Sequence, residues 1–378
     1  MRNILPKNRS KKSKLDKEKE IKKAYFCVPA DFNTKNLKSF SELNLKYKNA
    51  KIEEVYGSLP QSIYGSGRSS ASIFDVDFKV LKKYVAACKK NGIEFNYTFN
   101  ANTLSNREFN KKSRREILSF IKKLYSLGIR RFTVTMPSLI SLIQNNFKDA
   151  EIVLSVINGI TTPYQLKELS EAGKIIRAYV AEDMNRKPSA LKKVVAKSKV
   201  PIATILNTFC LFECAYRAHH YNFMAFRDKT DNIDMVEYYG ARCAEKKVKN
   251  ANEIIKIPWI RPNDIKNYLD MGVCWFKIAG REMVKAGPDF PRAIEVYMAG
   301  EYKGDLIDLF NNFSDKHYNR IFSLDSDSLN PYFNYIFNKK VDCSRELCDG
   351  CGMCKKYSKF VKINKKEIKL LPEFKLLK

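Results

Sequence analysis

A TIM-type (β/α)8 barrel is the fold this sequence predicts, an α/β class, with a long insertion after strand seven and a small Cys-rich C-terminal segment. Three observations predict it. Eight short apolar segments recur between residues 24 and 281. Amphipathic stretches with helical spacing alternate with them. The links between them are short, which is the pattern of parallel β/α units. Eight such units in roughly 260 residues match the usual barrel size. An open doubly wound sheet is the runner-up.

The predicted strands are Ala24–Phe32, Lys51–Ser58, Glu94–Asn100, Arg131–Pro137, Glu151–Asn158, Lys174–Asp183, Pro201–Phe209 and Trp275–Arg281. A helix over Asp77–Lys90 follows the second strand. Arg114–Gly128 places Ile117, Phe120, Ile121 and Leu124 on one face and ends at a glycine. Thr162–Gly173 opens on Thr-Pro, a good helix start, and also ends at a glycine. Ser189–Lys199 alternates Val and Leu with Lys at helical spacing, and Arg261–Pro262 opens a helix that runs to Gly272. The expected organisation is a disordered basic arm over 1–23, a barrel domain over 24–310 and a C-terminal extension over 311–378.

In this fold the active site lies where strands end and the following loops begin. Cys210 falls immediately after the seventh strand, and the stretch from 210 to about 257 is unusually long for a β/α link. Long links tend to carry function. Cys210, Cys214 and Cys243 are therefore expected at the barrel mouth. Asn100, Asn158, Glu182, Asp183, Lys277 and Arg281 are expected to project into the same space from other strand ends.

Composition narrows the partners. The 378 residues are 44% hydrophobic and 12% aromatic, enough for a substantial core, which excludes disorder along the whole length. There is no run of 18 apolar residues, so no membrane-spanning helix is expected. The lysine-rich start lacks the apolar stretch of a secretory signal, and the expected compartment is the reducing cytoplasm. The net charge is +28. Residues 1–23 carry ten Lys or Arg against three acidic residues, and residues 339–378 carry twelve against five, so the tails hold half the excess. Lysine on solvated faces accounts for such a charge as readily as an anionic small molecule or RNA does.

Ten cysteines in a reducing compartment point to metal rather than to disulfides. Cys343, Cys348, Cys351 and Cys354 lie within twelve residues, with two C-x-x-C steps in series and Gly350 and Gly352 between them. Thiolates this close wrap one compact cluster, as in the C-x-x-C-x-x-C run of bacterial ferredoxins, although the later C-P of that run is absent. Zinc is the alternative, but zinc sites usually separate their ligand pairs by a longer loop. Free thiols are the third reading. At the mouth, Cys243 is the natural third ligand beside Cys210 and Cys214, with Cys27 favoured over Cys274 as a fourth because it lies near the exit of strand one. The fourth position can equally be open to substrate, and buried structural cysteine is the bland reading for the group. Arg217 stands where a radical-SAM motif would need a third cysteine, which argues against that chemistry. Cys88, inside a helix, reads as structural. His219 and His220 are candidate ligands or proton donors. Arg217, Arg242, Arg261 and Arg281 are candidate clamps for carboxylate or phosphate. A hydrogen-bonded loop histidine is the bland reading for His219 and His220, and surface solvation is the bland reading for the arginines.

Three features make the chain similar to peptidase family U32, the collagenase-like group. These are the strand order, the cysteine just after a late strand (Cys210), and the pair Ile257-Pro-Trp-Ile-Arg-Pro-Asn-Asp-Ile and Gly272-Val-Cys-Trp-Phe-Lys277-Ile-Ala-Gly-Arg281. The latter resembles the family's "GV…KIEGR" strand, with Ala279 where Glu is usual, and the family's second cysteine lies farther on than Cys214. The resemblance covers roughly residues 24–300. It implies a 4Fe–4S cluster at the barrel mouth and oxygen-independent hydroxylation of an RNA base or a small aromatic or quinone precursor, with prephenate as oxygen source. The leading expectation is an iron–sulfur oxidoreductase. Its reaction centre is held by Cys210, Cys214 and Cys243, with Cys27 as a further candidate. A tail cluster relays electrons from a protein donor, and Arg217, Arg242, Arg281, Lys277 and His219 handle the substrate. A peptidase, and an RNA-binding protein with structural metal sites, are the alternatives. The sequence shows no clear nucleophile–base pair for proteolysis and no H-E-x-x-H.

Overall fold

The computed structural model describes residues 22–60, 67, 76–227, 238–280, 290–313, 318–338, 343 and 348–370. The basic arm, apart from residues 22 and 23, and Arg281 lie outside them. Eight parallel strands close a barrel in sequential order: β1 (Ala24–Pro29), β2 (Ala50–Gly57), β3 (Glu94–Phe99), β4 (Arg131–Val134), β5 (Glu151–Leu154), β6 (Ile175–Tyr179), β7 (Ile202–Ile205) and β8 (Trp275–Lys277). Each falls within a predicted segment or within one residue of it. The α1–α6 helices between the first seven strands are Thr34–Lys46, Phe78–Lys90, Lys111–Ser126, Pro137–Asn146, Pro163–Ser170 and Pro188–Lys197.

Local chemistry explains the helix ends. Thr162 and Gln165 form a reciprocal capping box at the start of α5. Gly128 sits at φ +88°, where a side chain would be strained, and ends the turn after α3. Gly173 has a different reason. The α5 helix already stops at Ser170, and a Cβ at Gly173 would stand 2.7 Å from Cγ of Gln144 on α4. Close packing, not helix termination, demands the glycine.

The long link after β7 is largely helical. It carries α7 (Arg217–Arg227), α8 (Tyr238–Lys249) and α9 (Asn252–Lys256), and α10 (Ile265–Asp270) leads into β8. Beyond the barrel follow α11 (Phe290–Ala299), α12 (Leu306–Asn311), α13 (Asn330–Phe337), α14 (Cys348–Cys351) and α15 (Met353–Tyr357), with a small antiparallel pair, β9 (Phe322–Ser323) and β10 (Lys362–Ile363). Trp259, fully buried, has its ring 5.8 Å from that of Phe310 and 5.5 Å from that of Phe333, so the extension shares the barrel's apolar core. None of the helices among the described residues is long and apolar enough to cross a membrane.

The main core lies between strands and helices, where Phe26, Val28, Ile52 and Val55 are fully buried. Each such side chain contributes about 1.5–3 kcal/mol. The barrel interior is different. Glu54 on β2 pairs with Arg177 on β6, and these strands are not neighbours, so the pair crosses the lumen. Arg131 reaches the other Glu54 oxygen at 3.0 Å, Asn96 donates to Glu54 at 3.0 Å, and Thr133 donates to Asn96 at 2.9 Å. The Arg177 guanidinium lies 3.8 Å over the Trp275 ring. Burial pushes the Glu54 carboxyl up, but the Arg177 and Arg131 charges outweigh burial and hold it at about 2.

Candidate active site at the barrel mouth

Cys210, Cys214 and Cys243 line one cavity of about 200 Å³. Cys210 and Cys214 come from the turn after β7, and Cys243 comes from α8. The end of β7 is fastened to β8 by Asn207, whose side chain both donates to and accepts from the Ala279 backbone at 2.7 Å. Nothing in the sequence marked Asn207 beyond its place at a strand end.

A second fastening holds the cysteine turn. Arg217 grips Asp183 through two guanidinium nitrogens, at 2.5 and 3.0 Å, and stands 3.5 Å from Glu182. It also donates to the Leu211 carbonyl at 2.8 Å, while the Glu213 amide donates to Asp183 at 2.9 Å. Tyr221 donates to the other Glu182 oxygen at 2.9 Å. The guanidinium is thus engaged by protein carboxylates and ties the turn to the end of β6, and Arg217 also lines the cavity. Burial, then the Glu182 charge, pushes the Cys210 thiol up.

Lys247 is the residue that sequence reasoning missed. It sits among several lysines of α8 with no distinguishing neighbour in the chain. In the fold it is 1% exposed, donates to the Phe209 carbonyl at 2.5 Å, and lies 4.3 Å over the Phe209 ring. Burial opposes its charge, yet Cys243, Tyr318 and Cys210 outweigh burial and raise its proton affinity. A buried ammonium therefore stands beside two of the three mouth thiols. Lys277 also lines the cavity, with Nζ 3.7 Å over the Tyr56 ring.

Other candidates are placed elsewhere. Cys27 does not line the cavity. It is 1% exposed and lies against Glu54, Lys277 and Arg177 in the lumen, where burial and then Glu54 push its thiol far up. Its place near the exit of β1 favours it as a fourth ligand, but its side chain turns to the Glu54 network and not to the cavity. Cys274 precedes β8, at the opposite end of the barrel, and accepts the Tyr25 amide through its carbonyl. Arg242 pairs with Glu245 at 2.5 Å in a separate groove with Lys246 and Lys249. His220 lines the cavity, whereas His219 does not and instead stacks on Tyr239 at 6.3 Å. Asn100 lines it and accepts the Gly67 amide at 3.1 Å, while Asn158 donates to the Thr135 carbonyl at 2.6 Å. Arg261 is committed to Asp264, to the Ser326 carbonyl and to Asn330, and does not line the cavity. Cys88 is in the apolar core.

Among the described residues, no three of His, Cys, Asp and Glu already stand together as a metal site. The mouth nonetheless carries three soft donor side chains around one cavity, with a buried cation beside them, which is the donor chemistry a thiophilic metal takes.

The fold and this site define a TIM-barrel α/β protein with a thiol-lined mouth. The sequence pattern of peptidase family U32 matches residues 38–231, and the chain belongs to that family. It is similar to an uncharacterized protease of Methanocaldococcus jannaschii, at 25% identity over 86% of this chain and 95% of that protein. Among solved structures it is similar to the U32 peptidase Mk0906, at a TM-score of 0.47 and 12% identity, over 68% of this chain and 92% of that one. It is also similar to the YdjI aldolase from Escherichia coli K12, at a TM-score of 0.36 and 12% identity, over 77% and 85%.

Proposed function

We propose that this chain is an iron–sulfur oxidoreductase whose reaction centre is held at the barrel mouth by Cys210, Cys214 and Cys243. The observation that carries the reading is the convergence of three thiols from two separate elements on one cavity, with the Lys247 ammonium beside them. A 4Fe–4S cluster held there would supply one-electron chemistry, with its fourth position open to substrate.

The chain's own residues supply the rest. Arg217, Asp183 and Glu182 fix the turn so that Cys210 and Cys214 are presented on one side. Lys247 offsets negative charge on the thiolates. Lys277 places a second ammonium at the cavity, and Tyr56, Phe209, Tyr216 and Tyr239 give it aromatic walls. Such a cavity suits a flat, anionic substrate, either a small aromatic acid or a base of RNA, and oxygen-independent hydroxylation is the reaction class we infer. The cytoplasm is the compartment that keeps such thiols reduced.

Anaerobically purified protein is expected to be brown and to contain iron and acid-labile sulfide, with both reduced by Cys210→Ser and Cys243→Ser. Colourless protein with stoichiometric zinc would sink the reading. The family's name supports a peptidase instead, and peptide cleavage that survives both substitutions would establish it.

A further inference from the structure

The tail cysteines are not used by the mouth, and the fold gives them a setting of their own. Cys348 and Cys351 lie on α14 and Cys354 on α15, with Gly352 at φ +66° turning the chain between the two helices. The α15 helix packs against α9, which follows directly from the α8 helix that carries Cys243 and Lys247. Tyr332 on α13 stands 3.4 Å from the Cys354 sulfur. Behind it lies Arg186, 2% exposed, with its guanidinium 6.0 Å from the Tyr332 ring and 4.8 Å from the rings of both Trp259 and Phe333.

Arg186 is an unusual buried cation. Its terminal nitrogens donate to the backbone carbonyls of Trp259, at 3.0 Å, and Ile257, at 2.6 Å. Among the described residues no carboxylate pairs with it. A buried charge without a counterion is costly. The Tyr332 ring stands between this guanidinium and the tail, with its hydroxyl 3.4 Å from the Cys354 sulfur, and the buried Asp264 carboxyl also feels the Arg186 charge.

We propose that Cys343, Cys348, Cys351 and Cys354 form a second iron–sulfur centre, seated on the barrel with Arg186 as its buried countercharge. The compact C-x4-C-x2-C-x2-C spacing favours a cluster over zinc. Loading draws the thiolates together, since such sites are completed by the metal itself. Arg186 closes the same five-residue 3₁₀ turn, Glu182–Arg186, that begins with the two acids holding Arg217 beside Cys210. At a rise of about 2 Å per residue, the ends of that turn are about 8 Å apart. One end of that turn thus holds Arg217 beside Cys210, and the other approaches Tyr332, which touches Cys354. The proposal does not depend on the mouth reading, and either can fail alone.

The test is iron and acid-labile sulfide per chain in anaerobically purified full-length protein. Cys351→Ser with Cys354→Ser is compared with Cys210→Ser with Cys243→Ser and with all four changes together. The tail pair is expected to lose its own share of iron and sulfide while the fold, read by circular dichroism, is retained. A tail pair that leaves iron unchanged, or that loses stoichiometric zinc, overturns the proposal. For Arg186 as positioning residue, the mouth-disabled protein is titrated for its reduction potential. Arg186→Gln is expected to shift the potential of the tail centre to more negative values, and Arg186→Lys to restore it. If the Gln variant does not fold, Arg186→Lys alone still decides. A potential near wild type supports the charge role, and loss of the tail iron despite a native fold refutes it.

Discussion

Arg217 grips Asp183 with two nitrogens of its guanidinium, 34 positions apart in sequence, and so ties the turn that carries Cys210 and Cys214 to the end of β6. Both side chains are largely buried. Arg217→Met leaves Asp183 and Glu182 buried without their partner, a loss on the order of 3–5 kcal/mol. The expected result is a lower unfolding midpoint and faster amide exchange over residues 208–217. A change in exchange confined to α7 would count against the tether.

The lumen pair of Glu54 and Arg177 makes stability pH-dependent. Glu54 is held at about 2, against 4.5 for an ordinary glutamate, so the stabilisation is whole above pH 4.5 and fades as pH falls toward 2. The shift corresponds to about 3 kcal/mol. Denaturant titrations from pH 6 to pH 2 should show this loss. Glu54→Gln should flatten the profile in that window and be less stable at neutral pH, because Arg177 is then stranded.

Cys27 belongs to the lumen and not to the mouth. Cys27→Ala should therefore leave the iron content of purified protein unchanged. Its cost should be about 1–3 kcal/mol, from a cavity beside Glu54 and a lost hydrogen bond. Loss of iron with the fold intact would make Cys27 the fourth ligand after all.

Lys247→Met keeps an unbranched side chain one atom shorter and removes its charge. The iron retained after desalting should fall, while the circular dichroism spectrum stays native. Unchanged retention would show that the ammonium only fills space between Phe209 and Tyr318.

Much of this was legible in the chain. The eight strands show because apolar segments and turn residues act locally, and each observed strand lies on a predicted one. The mouth cysteines show because a strand end followed by an overlong link is also a sequence feature. Less visible was that the link is itself helical, and that Gly173 serves packing against Gln144 rather than a helix end.

The sequence by itself determined the barrel, the direction in which its strands point, and the sorting of seven cysteines into two groups, since these depend on periodicity and spacing. Only the tertiary structure decided who meets whom. Arg217 is engaged by Asp183, Lys247 is buried beside two thiols, Cys27 joins a charge network across the lumen, and Arg186 is buried among the rings of Trp259, Phe333 and Tyr332. Each is a contact between elements distant in the chain, where burial and through-space charge, not local propensity, set the outcome.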